Sequence, residues 1–369
     1  MIIDFIGGLE RMSDGRVRPL KIIVTACGCP GASTLIRMLK NNGERPIGII
    51  GTDMSSKAVG HFLCDGFYEV PAGTSPDYIP VMMNIVKREK PDLIFPESSN
   101  EVLSLARARD EFESIGTKVV VSSPEAIETS SNKYLMYEAI RKGGNVDLPR
   151  YGTASTLDEF LHAVKKIGYP MEPVVFKPHI GKGSRGVRII DPKADRKRQL
   201  MEEKPINKYT SLEEFIEIFQ HVDDSEFPDF LVMEYLKGME KTADTLAMNG
   251  RELLTTIKTV EKARWGVIVE GELVRDDYLV EQTRQILMDI PLSYCVNIQF
   301  IAGKLIEINP RVSTFIYQKN LIAPYLAIKL ALNELNEDDI TNYRNSIDYG
   351  RRMIRYMDQL FYKDGGEVL

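Results

Sequence analysis

Alternating polar and apolar residues around position 300 predict a hairpin that could carry chemistry. Residues 296–301 and 305–309 form two strand-like segments, and residues 302–304 are interpreted as the loop between them. With a loop of that length, Gln299 lies directly opposite Glu307 on the neighbouring strand. The pattern therefore brings an amide oxygen and a carboxylate together on one face of a sheet.

Asn309 and Arg311 continue this polar face, because side chains two positions apart on a strand point to the same side. Carboxylate and amide oxygens suit Mg²⁺ that is bridged to phosphates. An arginine beside them could clamp a phosphoryl group during transfer. The alternative is a solvated polar face with one charged pair. The Asn309-Pro310 step is difficult to explain by packing alone, which favours the metal site.

A second candidate is a lysine followed by a glycine-rich loop. Lys177 stands at the end of a strand-like segment, and Gly181, Gly183 and Gly186 follow it closely. Glycines allow backbone N–H groups to approach phosphate oxygens, and lysine supplies a compact positive charge. The spacing differs from that of a P-loop. An ordinary hairpin turn with an exposed lysine explains the same residues, so the loop alone does not decide the function.

A third candidate lies at the end of the segment FLVMEYL, where Glu234, Tyr235 and Leu236 complete a strand and Glu240 follows. Backbone groups at such a strand end can recognise the edge of an adenine base. A carboxylate nearby suits the paired hydroxyls of a ribose. Taken alone, these residues fit a sheet edge with solvated acids equally well.

Two different patterns of elements must position these residues. Between residues 21 and 124, short apolar strands alternate with helix-like segments, which predicts an α/β domain with a parallel sheet. After residue 124 the pattern becomes α+β with antiparallel strand pairs. Residues 1–20 are interpreted as an N-terminal extension of unknown purpose.

Composition excludes several classes of protein. The 369 residues carry 47 Lys and Arg against 53 Asp and Glu, a net charge of −6, which argues against a protein that coats nucleic acid or binds an anionic membrane. Hydrophobic residues make up 43%, enough for a folded core. The four cysteines are too few and too scattered for a disulfide framework, so a reducing cytoplasmic compartment is expected. The four histidines lack the spacing of zinc ligands.

In the order of its motifs, the chain resembles the ATP-grasp superfamily, and within it the synthetase module of the carbamoyl-phosphate synthase large chain. The resemblance rests on four segments, SSNKYLMYEAI, VVFKPHIGKGSRGV, VMEYLKGMEKTADTL and VNIQFIAGKLIEINPRVS. It implies a pre-ATP-grasp α/β domain at residues 21–124 and an ATP-grasp α+β fold at 125–335, whose two subdomains clamp ATP. The lid subdomain is expected at about residues 150–236, and a C-terminal helical segment at 336–369.

The resemblance also implies roles for individual residues. The expected contacts of the ATP phosphates are Lys133, Lys177 and the loop residues Gly181, Gly183, Ser184 and Gly186. The expected adenine and ribose contacts are Glu234, Tyr235, Leu236 and Glu240. The expected ligands of Mg²⁺, or of Mn²⁺ in its place, are Gln299, Glu307 and Asn309. Arg311 and Lys177 are the expected catalytic residues.

The implied reaction is that of an ATP-dependent ligase. Such an enzyme activates a carboxylate as an acyl phosphate, which an amine or ammonia then attacks, so no protein nucleophile is needed. Small-molecule carboxylate and amine substrates are expected, without nucleic acid or membrane partners, and a homodimer is the usual assembly. One alternative is phosphorylation of carboxy compounds in the manner of carbamoyl-phosphate synthase. Another is a nucleotide-binding regulatory protein without transfer activity.

A dinucleotide-binding oxidoreductase is disfavoured by the first glycine turn. The pattern there is Gly28-x-x-Gly31, and not the G-x-G-x-x-G of that class. Pro30 also removes an N–H group from the turn, although Asp53 ends the next strand as a ribose-binding acid would.

Limited proteolysis tests the predicted phosphate loop. Cleavage of the free protein is expected within or near residues 179–187, and a non-hydrolysable ATP analogue with Mg²⁺ should slow it, because bound phosphates hold the glycine loop in place. Mass spectrometry of the fragments locates the cut. Equal cleavage rates with and without nucleotide would contradict the prediction.

Overall fold

The computed structural model describes residues 17–181, 185–202, 208–264 and 266–363. The first unit is a parallel sheet with strand order β3-β2-β1-β4-β5. Its strands are β1 (Leu20–Val24), β2 (Ile47–Asp53), β3 (Gly66–Glu69), β4 (Leu93–Phe95) and β5 (Lys118–Val119). Its helices are α1 (Ala32–Lys40), α2 (Gly60–Leu63), α3 (Tyr78–Glu89), α4 (Val102–Arg107) and α5 (Arg109–Ser114). The predicted parallel α/β domain is confirmed.

A second sheet lies between residues 151 and 234, with strand order β6-β10-β7-β8-β9. Its strands are β6 (Tyr151–Ala154), β7 (Val174–Pro178), β8 (Arg188–Ile190), β9 (Tyr209–Thr210) and β10 (Phe230–Glu234), and its helices are α8 (Leu157–Ile167), α9 (Arg196–Met201) and α10 (Leu212–Phe219). A phenylalanine cluster forms the core under this sheet, where the rings of Phe160 and Phe215 stack with their centroids 3.8 Å apart. This lid sheet therefore has a core of its own.

The third sheet is antiparallel and has the order β13-β14-β12-β11-β15-β16, with β17 paired to β14. Its strands are β11 (Glu240–Met248), β12 (Arg251–Val260), β13 (Lys262–Arg264), β14 (Val267–Val274), β15 (Tyr294–Ile301), β16 (Lys304–Asn309) and β17 (Arg352–Ile354). The helices around it are α6 (Pro124–Ser131), α7 (Lys133–Gly143), α11 (Asp277–Asp289), α12 (Ala323–Ala331) and α13 (Glu337–Asn345). This large sheet and the lid sheet together give the predicted α+β part.

Two sequence expectations about elements need correction. Within the described part of the predicted helical segment 336–369, which ends at residue 363, only α13 is helical, and β17 then joins the large sheet because residues 352–354 pair with β14. One of the helix-like segments predicted between residues 21 and 124, the one between β4 and β5, is divided into two helices, α4 and α5, which meet at Ala108. The predicted extension lies largely outside the described residues, and Leu20 already begins β1.

Helix α12 joins the first unit to the large sheet. All its residues from Pro324 to Ala331 are buried, and they share one hydrophobic core with Ile22 of β1 and Leu246 of β11. Lys329 enters this core with its charge paired to Glu44 at 3.1 Å. Nowhere in the described part of the chain does a helix combine the length and the apolar character that crossing a membrane requires.

A buried ion pair holds the same interface. Arg45, before β2, forms hydrogen bonds with both carboxylate oxygens of Glu334, which lies beyond α12, and with the Tyr325 hydroxyl at 3.1 Å. The arginine side chain is fully enclosed and that of Glu334 is 5% exposed. A pair so deeply buried is sensitive to the loss of one member, because the other charge then has no partner.

Glu334→Ala should lower the free energy of unfolding by about 3 kcal/mol, because Arg45 stays buried without its counter-charge. Glu337→Ala is the matched control, since it removes an exposed partner of Arg251 and should change stability by less than about 1 kcal/mol. Urea unfolding followed by tryptophan fluorescence and circular dichroism measures both. Equal changes in the free energy of unfolding for the two substitutions would show that the buried pair stabilises the protein no more than an exposed one.

Candidate active site

The hairpin of β15 and β16 holds the predicted metal ligands in register. Gln299 pairs with Glu307, as the sequence predicts. The predicted three-residue loop is wrong, however, because Ile301 pairs with Lys304 and the turn has only two residues. These are Ala302 and Gly303, with φ of 51° and 81°, the left-handed values that a tight two-residue hairpin requires.

A β-bulge reconciles the shorter turn with the predicted pairing. Phe300 pairs with Leu305 and Gln299 with Glu307, so Ile306 is an extra residue on β16. Its carbonyl oxygen accepts a hydrogen bond from Lys177 Nζ at 2.8 Å. The bulge therefore provides an acceptor for a lysine of the lid sheet.

Lys177 is more enclosed than the sequence suggested. Its side chain is 4% exposed, with Nζ 5.5 Å from the centre of the Tyr137 ring, whose hydroxyl donates to Leu305 O at 3.0 Å. Burial lowers the pKa of Lys177 to about 7, against the opposing charge of Glu307. The alternative of an ordinary hairpin turn with an exposed lysine does not fit this burial, because β7 places Lys177 in the interface between two sheets.

Lys133 reaches the same point from α7, where it is the first helical residue after the cap Asn132. Its backbone N–H donates to His179 O at 2.9 Å, and its Nζ donates to Gly181 O at 3.1 Å. The same Nζ lies 3.5 Å from Glu307 Oε1. Two lysines and one carboxylate from three separate elements thus meet beside the glycine loop.

The described part of the glycine loop comprises residue 181 and residues 185–187. Gly181 and Gly186 both lie against the Pro178 ring, and Gly186 has φ of 76°, so a side chain at that position would be strained as well as crowded. The predicted phosphate contacts Gly183 and Ser184 lie outside the described residues. The described ends of the loop are thus anchored at the end of β7.

The polar face extends across the large sheet in two rows. In the first row, Glu307 pairs with Gln299, Gln299 with Thr242, and Thr242 with Lys258. The second row contains Asn309, Asn297, Asp244 and Thr256 in the same order of strands. Both rows lie on one side of the sheet, so the three predicted metal ligands Gln299, Glu307 and Asn309 share a face with other polar residues.

Hydrogen bonds connect the second row to a buried ion pair. Asn309 Nδ2 donates to Asn297 Oδ1 at 3.4 Å, and Asn297 Nδ2 donates to Asp244 Oδ1 at 2.8 Å. Asp244 is in turn bound by the ammonium of Lys258, which is fully buried. The Lys258 side chain is thus fully enclosed within the sheet, with Asp244 as its counter-charge.

Asp244 and Asn297 were not among the residues predicted from the sequence. A signal was present, since Glu240, Thr242 and Asp244 alternate along one strand, and Asn297 precedes Gln299 by two positions. The buried Thr242 hydroxyl has no hydrogen-bond partner, which fits a face built to receive further atoms.

The donor set suits Mg²⁺ completed by phosphate oxygens. One carboxylate and two amide groups are hard oxygen ligands of the kind that Mg²⁺ prefers, and Mg²⁺ commonly takes its remaining ligands from substrate phosphates and water. Among the described residues, no group of three His, Cys, Asp or Glu side chains is arranged to hold a metal ion. A divalent ion with a single protein carboxylate would therefore depend on a bound phosphate group.

A cavity of about 790 Å³ lies beside this face, between the end of the lid sheet and the large sheet. Tyr235, Leu236 and Glu240 line it, as expected for an adenosine pocket. Burial raises the pKa of Glu240, and Glu307 acts in the same direction. Three of the four predicted base and ribose contacts therefore line one cavity.

Glu234 does not line that cavity with its side chain. Its carboxylate binds Lys304 Nζ at 2.6 Å and Arg150 Nε at 2.9 Å. Although partial burial opposes ionisation, these hydrogen bonds lower the pKa of Glu234 to about 2. Any contact of Glu234 with a nucleotide would have to come from its backbone.

Arg311 connects the site to the first unit. Its Nε donates to Ser99 Oγ at 2.7 Å, and its Nη1 donates to Val312 O at 2.7 Å. Removal from water lowers the pKa of Arg311, while the acids Glu97 and Glu307 oppose that change. The arginine therefore lies between the metal-ligand hairpin and the loop after β4, a link to Ser99 that sequence spacing could not reveal.

Two family models match the chain. Residues 226–352 match the model described as "ATP-grasp in the biosynthetic pathway with Ter operon", and residues 22–120 match "PylC-like, N-terminal domain". The first contains the hairpin and the candidate metal ligands. The second coincides with the parallel sheet.

Curated relatives include several synthases. The C-terminal section of the carbamoyl phosphate synthase large chain from Aquifex aeolicus is 25% identical, over 73% of this chain and 53% of the relative. The corresponding large chain from Clostridium acetobutylicum is 22% identical, over 73% of this chain and 24% of its own length. Formate-dependent phosphoribosylglycinamide formyltransferase from Pyrococcus furiosus is 34% identical, over 42% of this chain and 34% of its own length. The chain thus spans about half, or less, of these relatives.

Solved structures share the fold. N5-carboxyaminoimidazole synthetase from Staphylococcus aureus, complexed with ADP, superposes with a TM-score of 0.56 and 13% identity over 84% of this chain and 73% of that one. Biotin carboxylase from Campylobacter jejuni superposes with a TM-score of 0.60 and 16% identity over 87% of this chain and 73% of that one.

The comparisons and the fold agree on one conclusion. The chain is homologous to the carbamoyl phosphate synthase large chain, which confirms the resemblance seen in its motifs. Residues 22–120 match a PylC-like N-terminal domain and residues 226–352 match an ATP-grasp domain, in the order in which the parallel sheet and the large antiparallel sheet follow each other along the chain.

Proposed function

We propose that this protein is an ATP- and Mg²⁺-dependent ligase, which activates a carboxylate as an acyl phosphate and transfers the acyl group to an amine or ammonia. The observation that carries the proposal is the meeting of Lys133, Lys177 and Glu307 between the lid sheet and the large sheet. Its homology to ATP-grasp carboxylate–amine ligases supports the same class of reaction.

The lysines bind the phosphates of ATP in this proposal. Without nucleotide, the Lys177 ammonium has a backbone carbonyl as its hydrogen-bond acceptor, which is a weaker partner than an anion. Phosphate oxygens would stabilise its charged form and compensate for burial. Lys133, already at the loop carbonyl of Gly181, would contact the same phosphate chain, and Glu240 would bind the ribose hydroxyls.

Gln299, Glu307 and Asn309 would hold Mg²⁺, with Mn²⁺ as a substitute. When bound, the metal neutralises charge on the phosphate oxygens during transfer. Asn297 and Asp244, which lie beside Asn309 in the same row, would orient its side chain through the hydrogen-bond chain that ends at Lys258. Arg311, on the side of the first unit, would bind the transferring phosphoryl group.

Phosphorylation in the manner of carbamoyl-phosphate synthase is a second candidate. The sequence similarity to its large chain extends over 73% of this chain, which favours a small carboxy compound such as bicarbonate as the acceptor of the phosphoryl group. Both candidates use the same nucleotide site and differ in the carboxylate that enters it. A homodimer and a cytoplasmic location remain predictions.

An ADP-release assay tests the proposal and separates the candidates. The protein is incubated with ATP, Mg²⁺ and either bicarbonate or pools of carboxylic acids, with and without pools of amines. Hydroxylamine added in place of the amine would trap an acyl phosphate as a hydroxamate. Carboxylate-dependent ADP release with hydroxamate formation is expected, whereas ADP release that no carboxylate stimulates would contradict the proposal.

Glu307→Gln should reduce Mg²⁺-dependent turnover by about a hundredfold or more while stability changes little, because the substitution removes a ligand charge but almost no volume. Glu270→Gln is the control, since Glu270 lies on β14 in an exposed pair with Lys262. Steady-state rates are measured at several Mg²⁺ concentrations. Normal turnover with normal Mg²⁺ dependence in Glu307→Gln would remove this residue from the metal site.

Arg311→Ala should lower kcat by about a hundredfold or more and change ATP affinity much less, because an arginine that acts on the transferring phosphoryl group contributes chiefly in the transition state. Arg284→Ala, on α11 and paired with Glu252 and Glu281, is the control. ATP binding by calorimetry and kcat by ADP release separate the two effects. Loss of ATP affinity with an unchanged kcat would assign Arg311 to ground-state binding instead.

A further inference from the structure

Glu97 is a buried carboxyl group that the proposed mechanism does not use. It follows β4 after Pro96, its side chain is 7% exposed, and Oε2 has no hydrogen-bond partner. Its Oε1 lies 3.3 Å from the position that a Cβ would occupy at Gly31, the cap of α1, so glycine there leaves room for the carboxylate. An unpaired carboxyl group in the interior costs free energy unless a partner arrives.

Glu97 lines a cavity of about 710 Å³. The start of α1 forms one side of the cavity, and residues 313–317 and 351–360 form the others. The segment 313–317 follows Arg311 directly along the chain, and Ser99, which holds the Arg311 side chain, is two residues from Glu97. The cavity therefore adjoins the place where the acyl phosphate would form.

Two arginines give the same cavity positive charge. Arg355 donates to the carbonyls of Pro30 at 2.6 Å and Ile268 at 3.2 Å, and to Thr314 Oγ1 at 3.2 Å, but has no acidic partner within ion-pair distance among the described residues. Arg37, on the exposed side of α1, likewise forms no ion pair with a described residue. In contrast, Arg351 and Arg352 in the same lining are paired with acids.

We propose that this cavity binds an amino acid as the amine substrate, with its ammonium group on Glu97 and its carboxylate toward Arg355 and Arg37. A zwitterion offers an ammonium group to the Glu97 carboxyl and a carboxylate to the two arginines, whereas a simple amine or ammonia would leave both arginines without an opposite charge. The assignment of the bound amino acid as the acceptor rests on the proposed ligase function. The binding site itself rests on the cavity and its charges.

The electrostatics of the cavity without substrate are consistent with this assignment. Burial raises the pKa of Glu97 to about 8, against the opposing charges of Arg311 and Arg355, while Glu101 raises it further. Burial therefore favours the protonated form of Glu97. An ammonium group at hydrogen-bond distance would favour the carboxylate, as an opposite charge does for any buried acid.

Ligand-observed saturation-transfer NMR on the full chain tests the binding site without relying on turnover. The probe is a pool of the twenty standard L-amino acids, and the strongest binder is then titrated alongside its analogues that lack the amino group or the carboxylate. Glu97→Gln should weaken binding of that amino acid at least tenfold. Asp289→Asn is the matched control, because Asp289 Oδ2 is also buried without a partner but lies on α11, and it should bind like the wild type.

The outcomes separate this inference from the proposed function. Absence of binding by all twenty amino acids, unchanged affinity in Glu97→Gln, or an analogue that binds as tightly as its parent would each overturn the amino-acid site. Hydroxamate formation without amino-acid binding would leave the ligase proposal standing and remove this one. Amino-acid binding without any carboxylate-dependent ADP release would support the site and contradict the ligase proposal.

Discussion

The burial of the Lys177 ammonium between two sheets is the constraint on which the rest of the site depends. An ammonium group taken out of water is costly unless hydrogen bonds or opposite charges replace its hydration. The lid sheet provides the lysine. The large sheet provides the carbonyl oxygen of Ile306, at the β-bulge, as its hydrogen-bond acceptor, and the carboxylate of Glu307 as a more distant opposite charge. This arrangement holds the lysine in place but leaves its charge poorly compensated, which suits a site for polyanionic phosphates.

The metal-ligand face is prepared in a different way. Beside Asn309, the hydrogen-bond chain through Asn297 to the buried Asp244–Lys258 pair fixes side chains before any ligand enters. Fixed dipoles need no reorganisation when charge develops, so they contribute more to a reaction than equivalent groups in water. In the proposed function the lysine side of the cleft would respond to the nucleotide, while the opposite side is already ordered.

The parts of this site that depend on the local periodicity of strands could be predicted from the sequence. The pairing of Gln299 with Glu307 could be predicted from alternation along two neighbouring strands, even though the predicted turn was one residue too long. The compensating bulge at Ile306 could not be predicted, because the sequence does not show which apolar residue of β16 lacks a partner on β15. Likewise, the sequence does not distinguish Glu97 from a solvated acid at a strand end. Residues 351–360, which line the same cavity, lie more than 250 residues further along the chain.

The shared core around α12 limits how such proteins can diversify. Because this helix packs against α1 of the first unit and against β11 and β15 of the large sheet at once, the two units cannot be exchanged independently between relatives. A chimaera that joins a foreign N-terminal unit to this ATP-grasp domain would place mismatched side chains on both faces of one helix. New substrate preferences are therefore more accessible through replacement of single residues at the rim of the first sheet than through recombination of whole domains.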